Sequence, residues 1–268
     1  MNIWTTRSVD IANQKNYLDL LYKIYPISPN LRRDLGDDDC KKVKFAFDHK
    51  DKTLLIKTLC SFDVFPIKDS YVAYLKRDPS AIERNPQTID RLYGELCEMG
   101  YDDIIDKCSA PKETNRQIGP MFKNWVEKGC IGTKIYSNPA EFLLNEKENA
   151  ILNTSDAEMQ KFAKEYLGYD RNKGLDFVAR FNGIYILGEA KFITDFGGHQ
   201  NAQFDDAIHT VNYKRVNGIH PEIKVINIAI LDGVLYIKNR GKLYDTISRN
   251  DDNIILSALL LREFLYSL

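Results

Sequence analysis

The dipeptide Asn182-Gly183 lies between two apolar runs, Leu175 to Phe181 and Ile184 to Ile193. It restricts the fold more tightly than any other short feature of the chain. A two-residue type I′ turn requires positive φ at both central residues, and Asn-Gly meets that requirement at little steric cost. Such a turn sets Phe181 against Ile184, and counting back along both strands brings Asp176 opposite Glu189. Side chains alternate along a strand, so Lys191 shares the face of Glu189. One face of the hairpin therefore carries two carboxylates and an ammonium at the end away from the turn.

Directly opposed like charges destabilise a strand pair, and an unpaired buried charge costs several kcal/mol. Two arrangements relieve the conflict. A divalent cation between the carboxylates removes the repulsion, and hard oxygen ligands suit Mg²⁺. Alternatively, Lys191 pairs with one carboxylate while the other is solvated at the strand end. The spacing alone leaves both open.

Flanking patterns extend the hairpin into a larger α/β (α+β mixed) fold. "TSDAEMQKFAKEYLG" reads as a helix: Ser155 with Glu158 three residues on forms a capping box, and Gly168 supplies the stop. A helical stretch follows the hairpin from about Gln200 to Tyr213. "IKVINIAILDGVLYIK" reads as a second strand pair turning at Asp232-Gly233, and "NIILSALLLREFLYSL" as a closing apolar helix. Before Gly129 the chain consists of short amphipathic pieces such as "DIANQKNYLDLLYKIY", "KDSYVAYLKRD", "TIDRLYGELCEMG" and "RQIGPMFKNWVEKG". The expected organisation is a mostly helical N-terminal region over 1–129 and a sheet-bearing core over 130–268.

Composition narrows the function classes. Basic and acidic residues nearly cancel, with a net charge of −1, so the whole-molecule field offers no general attraction for nucleic acid and any polyanion must meet a local basic surface. No run approaches the length of a membrane span, and no basic-then-apolar leader opens the chain. No membrane association and a cytoplasmic location are expected. The five cysteines are scattered, with no CxxC pair, which suits reduced thiols better than disulfides or zinc.

Asp176, a spacer of twelve residues and then Glu189-Ala190-Lys191 resemble the PD-(D/E)xK nuclease motif, found in most type II restriction endonucleases and in several repair nucleases and junction resolvases. The resemblance covers about Ser155 to Leu231 in the order helix, strand with Asp, strand with Glu-x-Lys, helix, strand. Leu175 stands where the motif has proline. "TDFGGHQNAQFDDA" also resembles type II restriction enzymes, in which a Gly-rich turn feeds a polar helix lying near DNA.

The resemblance implies a restriction-endonuclease-like core, a central mixed β-sheet flanked by helices, and Mg²⁺-dependent, sequence-specific hydrolysis of double-stranded DNA. It implies Asp176, Glu189 and the carbonyl of Ala190 as metal ligands, with Lys191 beside the attacking water. Glu158 or Glu165 would be the helix glutamate that many members add; for Glu158 the capping box is the stronger explanation. Lys173, Thr194, Asp195, His199, Gln200, Asn201, Gln203 and Arg116 are the candidate DNA contacts. Among these, Asp195 doubles as a turn former and the amides suit adenine edges. A homodimer is expected, since two active sites about a twofold axis match the two strands of a palindrome. A cognate DNA methyltransferase would complete a restriction-modification system without being a bound subunit. The competing readings are a structure-specific or repair nuclease on the same core, and a DNA-binding protein without catalysis.

Overall fold

The computed structural model describes residues 1–26, 32–111, 118–215, 220, 222–238 and 241–268, with only the backbone at His199. The chain divides into two compact units, Met1–Ile27 with Glu113–Leu268, and Ser28–Lys112. The helix Ile118–Glu127, which precedes the anticipated boundary at 129, belongs to the unit that holds the sheet.

The smaller unit is helical. Its helices Asp37–Asp48, Lys52–Ser61 and Pro86–Met99 bury Val43, Leu55, Ile56, Leu59, Leu92 and Leu96 in one apolar cluster with Ile104. Asp51 begins the second of these helices by accepting from Leu54 N–H at 2.9 Å, as an N-cap should.

In the larger unit, the described residues form a six-stranded mixed sheet. The strands are β1 (Lys134–Tyr136), β2 (Ala150–Leu152), β3 (Phe177–Phe181), β4 (Ile184–Ile193), β5 (Lys224–Gly233) and β6 (Ile254–Leu256), and they lie in chain order across the sheet. β3 is antiparallel to both of its neighbours, while β1 runs parallel to β2, and β4, β5 and β6 are mutually parallel. All five residues of β3 are buried, including Arg180, whose guanidinium donates to the carbonyls of Phe142 at 2.9 Å and Asn145 at 2.6 Å. Tyr185 and Leu187 of β4 pack with Met159 and Phe162 of the helix Asp156–Leu167. Ile186 and Ala190, on the alternate positions, join a cluster with Phe122 and Ile228.

The hairpin is formed as expected. Asn182 and Gly183 have φ of 49° and 76°, and Phe181 pairs with Ile184. The helix Asp156–Leu167 carries the anticipated capping box, with Gly168 left-handed at its end. The stretch expected as a helix from Gln200 to Tyr213 is the helix Gly198–Val211.

Two expectations are corrected. Asp232-Gly233 is not a hairpin turn: β5 runs to Gly233 and a single 3-10 turn, Val234–Tyr236, follows. Asp232 is fully buried there and accepts from Tyr25 Oη at 2.9 Å, Ser257 Oγ at 2.5 Å and Ala258 N–H at 3.2 Å. A type I′ turn would carry that side chain away from these donors. Nor is the C-terminal apolar stretch all helix: Ile254–Leu256 is β6, and the helix Ala258–Tyr266 starts only after Ser257 caps it by accepting from Leu259 N–H. Edge pairing with β5 and contact with the helix Ile3–Ala12, where Thr5 Oγ1 donates to Ile255 O at 2.9 Å, hold the strand in place.

Candidate active site

The register places the charged residues of the hairpin together. Ladder pairing runs as far as Phe177 opposite Gly188. One residue earlier the ladder gives way: Asp176 N–H donates to Gly188 O at 3.1 Å, and the Asp176 side chain takes the next place by accepting from Ala190 N–H at 2.9 Å. Gly188 leaves little room for a side chain, since a Cβ there would stand 3.2 Å from both the Phe177 Cβ and the Ile228 Cγ1.

Lys191 bridges the two acids. Its ammonium lies 2.5 Å from Asp176 Oδ2 and 2.8 Å from Glu189 Oε1. Glu189 is 1% exposed, and its other oxygen, Oε2, is buried without a hydrogen-bond partner. Burial, and then the neighbouring Asp176 charge, push the Glu189 carboxyl above its ordinary range. Burial works against the Lys191 ammonium, but Asp176 and Glu189 outweigh it and hold its pKa above the usual lysine value. In this arrangement Lys191 donates to both carboxylates.

A second lysine enters the cluster from the other side. Lys173, just before β3, lies 3.1 Å from Glu189 Oε1 and 2.6 Å from Asp206 Oδ2 on the helix Gly198–Val211. The hydrogen bond from Lys173 is the leading cause of the lowered Asp206 pKa. Expected as a phosphate contact, Lys173 is already committed to carboxylates. Asp206 was not foreseen. The signal was present in "QFDDA", since Phe204 and Ala207 mark the buried side of that helix and leave Asp206 at its border, but only the fold brings it to Lys173.

Other candidates fall elsewhere. Glu158 is tied to the helix start, accepting from Thr154 Oγ1 and from Ser155 Oγ at 2.9 Å. Glu165 is exposed, 4.0 Å from Lys161. Thr194 and Asp195 sit in the exposed turn after β4, where Asp195 accepts from Phe196 N–H at 2.7 Å and so acts as a turn former. Gln200 is buried, and its amide oxygen accepts from Thr194 N–H at 3.3 Å, which fastens that turn. Asn201 and Gln203 are half-buried. Arg116 and the His199 side chain lie outside the described residues. All five cysteines are free.

Among the described residues no group of three or more His, Cys, Asp or Glu side chains is arranged to hold a metal ion. The donor set at the hairpin is two carboxylates, one of them with an unpartnered buried oxygen. That set fits Mg²⁺, which is bound through one or two carboxylates, keeps several waters and shares substrate phosphate, better than it fits an ion needing a full protein cage.

A mixed sheet with flanking helices, and acids clustered with lysines across its central hairpin, define the restriction-endonuclease-like class of α/β proteins. Within that class the chain matches the family model of the Tsp45I type II restriction enzyme over residues 2–268, and it belongs to that family. It is accordingly a restriction endonuclease, a site-specific deoxyribonuclease that binds DNA and acts on its phosphodiester bonds. No curated protein and no solved structure matches the chain. No helix among the described residues is long and apolar enough to cross a membrane.

Proposed function

We propose that the chain hydrolyses double-stranded DNA at Asp176, Glu189 and Lys191, in the PD-(D/E)xK manner, with Mg²⁺ as cofactor. The observation that carries this reading is the buried Glu189 with one oxygen bound to lysines and the other unpartnered, beside Asp176. Asp176, Glu189 and the Ala190 carbonyl would hold the ion. When bound, a dication offsets phosphate charge, lowers the pKa of water and stabilises the leaving oxygen.

The chain's own residues supply the rest. Lys191, beside both acids, donates a hydrogen bond that orients the attacking water. Asp176 holds the Lys191 ammonium and the Ala190 amide at once, which fixes the geometry of the Glu-x-Lys segment. The turn 194–197 and the exposed and half-buried positions of the helix Gly198–Val211 follow β4 directly and suit contact with DNA. Phosphate contacts of that kind would position the duplex and weaken with salt.

Further features of the reading are a homodimer cutting both strands of a palindrome, and a methyltransferase that protects the same sequence in a restriction-modification system. The region 1–129 would serve recognition and dimerisation. The deciding experiment is incubation of the purified protein with phage DNA and Mg²⁺, followed by run-off sequencing. Discrete fragments with one recurrent sequence support the reading; smearing, cutting confined to junctions, or cleavage undiminished in EDTA refutes it.

A further inference from the structure

Lys173 stands between two acids of unlike exposure. It reaches Glu189 Oε1, which is buried, and Asp206 Oδ2, on a side chain that is half exposed. Lys191 also claims Glu189 Oε1, so this one oxygen carries two ammonium groups while Oε2 carries none. Asp176, Glu189 and Asp206 together bear three negative charges against two ammonium charges. A dication arriving at Asp176 and Glu189 would meet the repulsion of both lysines. Lys191 is held by Asp176 as well as Glu189 and stays within the cluster. Among the described residues Lys173 has a second carboxylate partner outside the hairpin, namely Asp206.

Resting on the metal-site reading given under Proposed function, we infer that Asp206 is a positioning residue: it draws Lys173 off Glu189 so that Glu189 can accept a divalent cation. Asp206 thereby acts on the metal site chiefly through Lys173, the lysine it touches. The same bridge joins the helix Gly198–Val211 to Glu189.

The test is calorimetric titration of Mn²⁺ into the full-length protein without DNA, using Lys173→Met, Asp206→Asn and the double variant, with Asp176→Ala and Glu189→Gln as controls. Lys173→Met removes the competing charge and tightens Mn²⁺ binding by about tenfold, the effect of one unit charge on a dication a few ångström away in a water-like dielectric. Asp206→Asn leaves Lys173 on Glu189 and weakens binding by a similar factor. The loss caused by Asp206→Asn is larger with Lys173 present than in the Lys173→Met background, because without Lys173 only the through-space charge of Asp206 is removed. Equal Asp206→Asn losses in the wild-type and Lys173→Met backgrounds mean independent, through-space charge effects and overturn the bridge, as do single variants that bind like wild type. Those outcomes leave the metal-site reading intact provided the Asp176 and Glu189 variants lose the ion. Mn²⁺ binding that ignores both acids, or no binding by the wild-type protein, removes the metal-site reading and this inference together. Circular dichroism of each variant separates a changed affinity from a changed fold.

Discussion

Two acidic side chains are withdrawn from water in the sheet-bearing unit, and they are held in contrasting ways. Glu189 is met by the ammonium groups of Lys173 and Lys191, and one of its oxygens has no partner. Asp232 is met only by neutral donors: the hydroxyls of Tyr25 and Ser257, with Tyr17 at 3.4 Å, and the amide of Ala258. Burial pushes the Asp232 carboxyl up to about 7, against the pull of those donors. An acid held by mobile ammonium groups can exchange them for another cation. An acid saturated by hydroxyls and an amide ties β5 to the helix Ala258–Tyr266 and to the tyrosines near the N-terminus, and offers nothing to a ligand. The contrast separates a site built for chemistry from one built for cohesion.

The largest effect that would break this contrast is on cleavage. Lys191→Ala is expected to lower the rate of DNA cleavage by roughly 10²- to 10³-fold, the loss typical of one oriented electrostatic donor, with the fold retained by circular dichroism. Asp232→Asn, similar in shape, is expected to cut DNA near the wild-type rate. A Lys191 variant that cuts normally, or an Asp232→Asn variant that folds but does not cut, would reverse the roles assigned to the two acids.

Stability tests the other half. Asp232→Ala strands several buried donors and is expected to cost about 3 kcal/mol in urea unfolding. A loss within 0.5 kcal/mol, the order of an ordinary surface substitution, would mean the donors find water instead.

A smaller effect follows from titration. The folded pKa of Asp232, about 7, lies above its ordinary value of 3.8, so the native state binds the proton more tightly than the unfolded chain. The stabilisation is complete below the ordinary value and is lost as pH rises through about 7. Between pH 5 and 8 the wild-type protein should therefore lose stability relative to Asp232→Asn, read from paired urea midpoints; parallel curves would contradict it.

The smallest expected effect concerns the turn that brings the first acid site together. Gly183→Val meets no neighbouring atom but must adopt φ of 76°, which costs about 1–2 kcal/mol. An unchanged melting temperature would argue against the turn conformation.

How far these features could be read in the sequence depends on how local their causes are. Asn182-Gly183 and Asp232-Gly233 are alike on paper, yet only the first is a hairpin. Asn182 and Gly183 are both exposed and the flanking apolar runs pair with each other, so the local rule decides. At Gly233 φ is 105°, and a Cβ would fall 2.1 Å from Ile193 O, so the glycine serves close approach of β4 and not a turn. Asp232 is taken up by donors from the two ends of the chain, which no local pattern announces. Similarly, the capping box at Ser155 and Glu158 was legible because both partners lie within one turn. Ile254–Leu256 reads as part of a helix because three residues carry too little periodicity to show themselves as a strand.

The sequence by itself determined the hairpin, its register as far as Phe177, and hence the meeting of Asp176, Glu189 and Lys191, because turn chemistry and the two-residue alternation of strands act over a few neighbouring residues. Tertiary structure alone decided that Lys173 binds Glu189 and Asp206, that Glu189 keeps an unpartnered oxygen, and that Asp232 is a buried hub. Each of those depends on which distant groups arrive at a buried acid once the sheet and helices close over it, and burial makes such partners necessary without revealing which they will be.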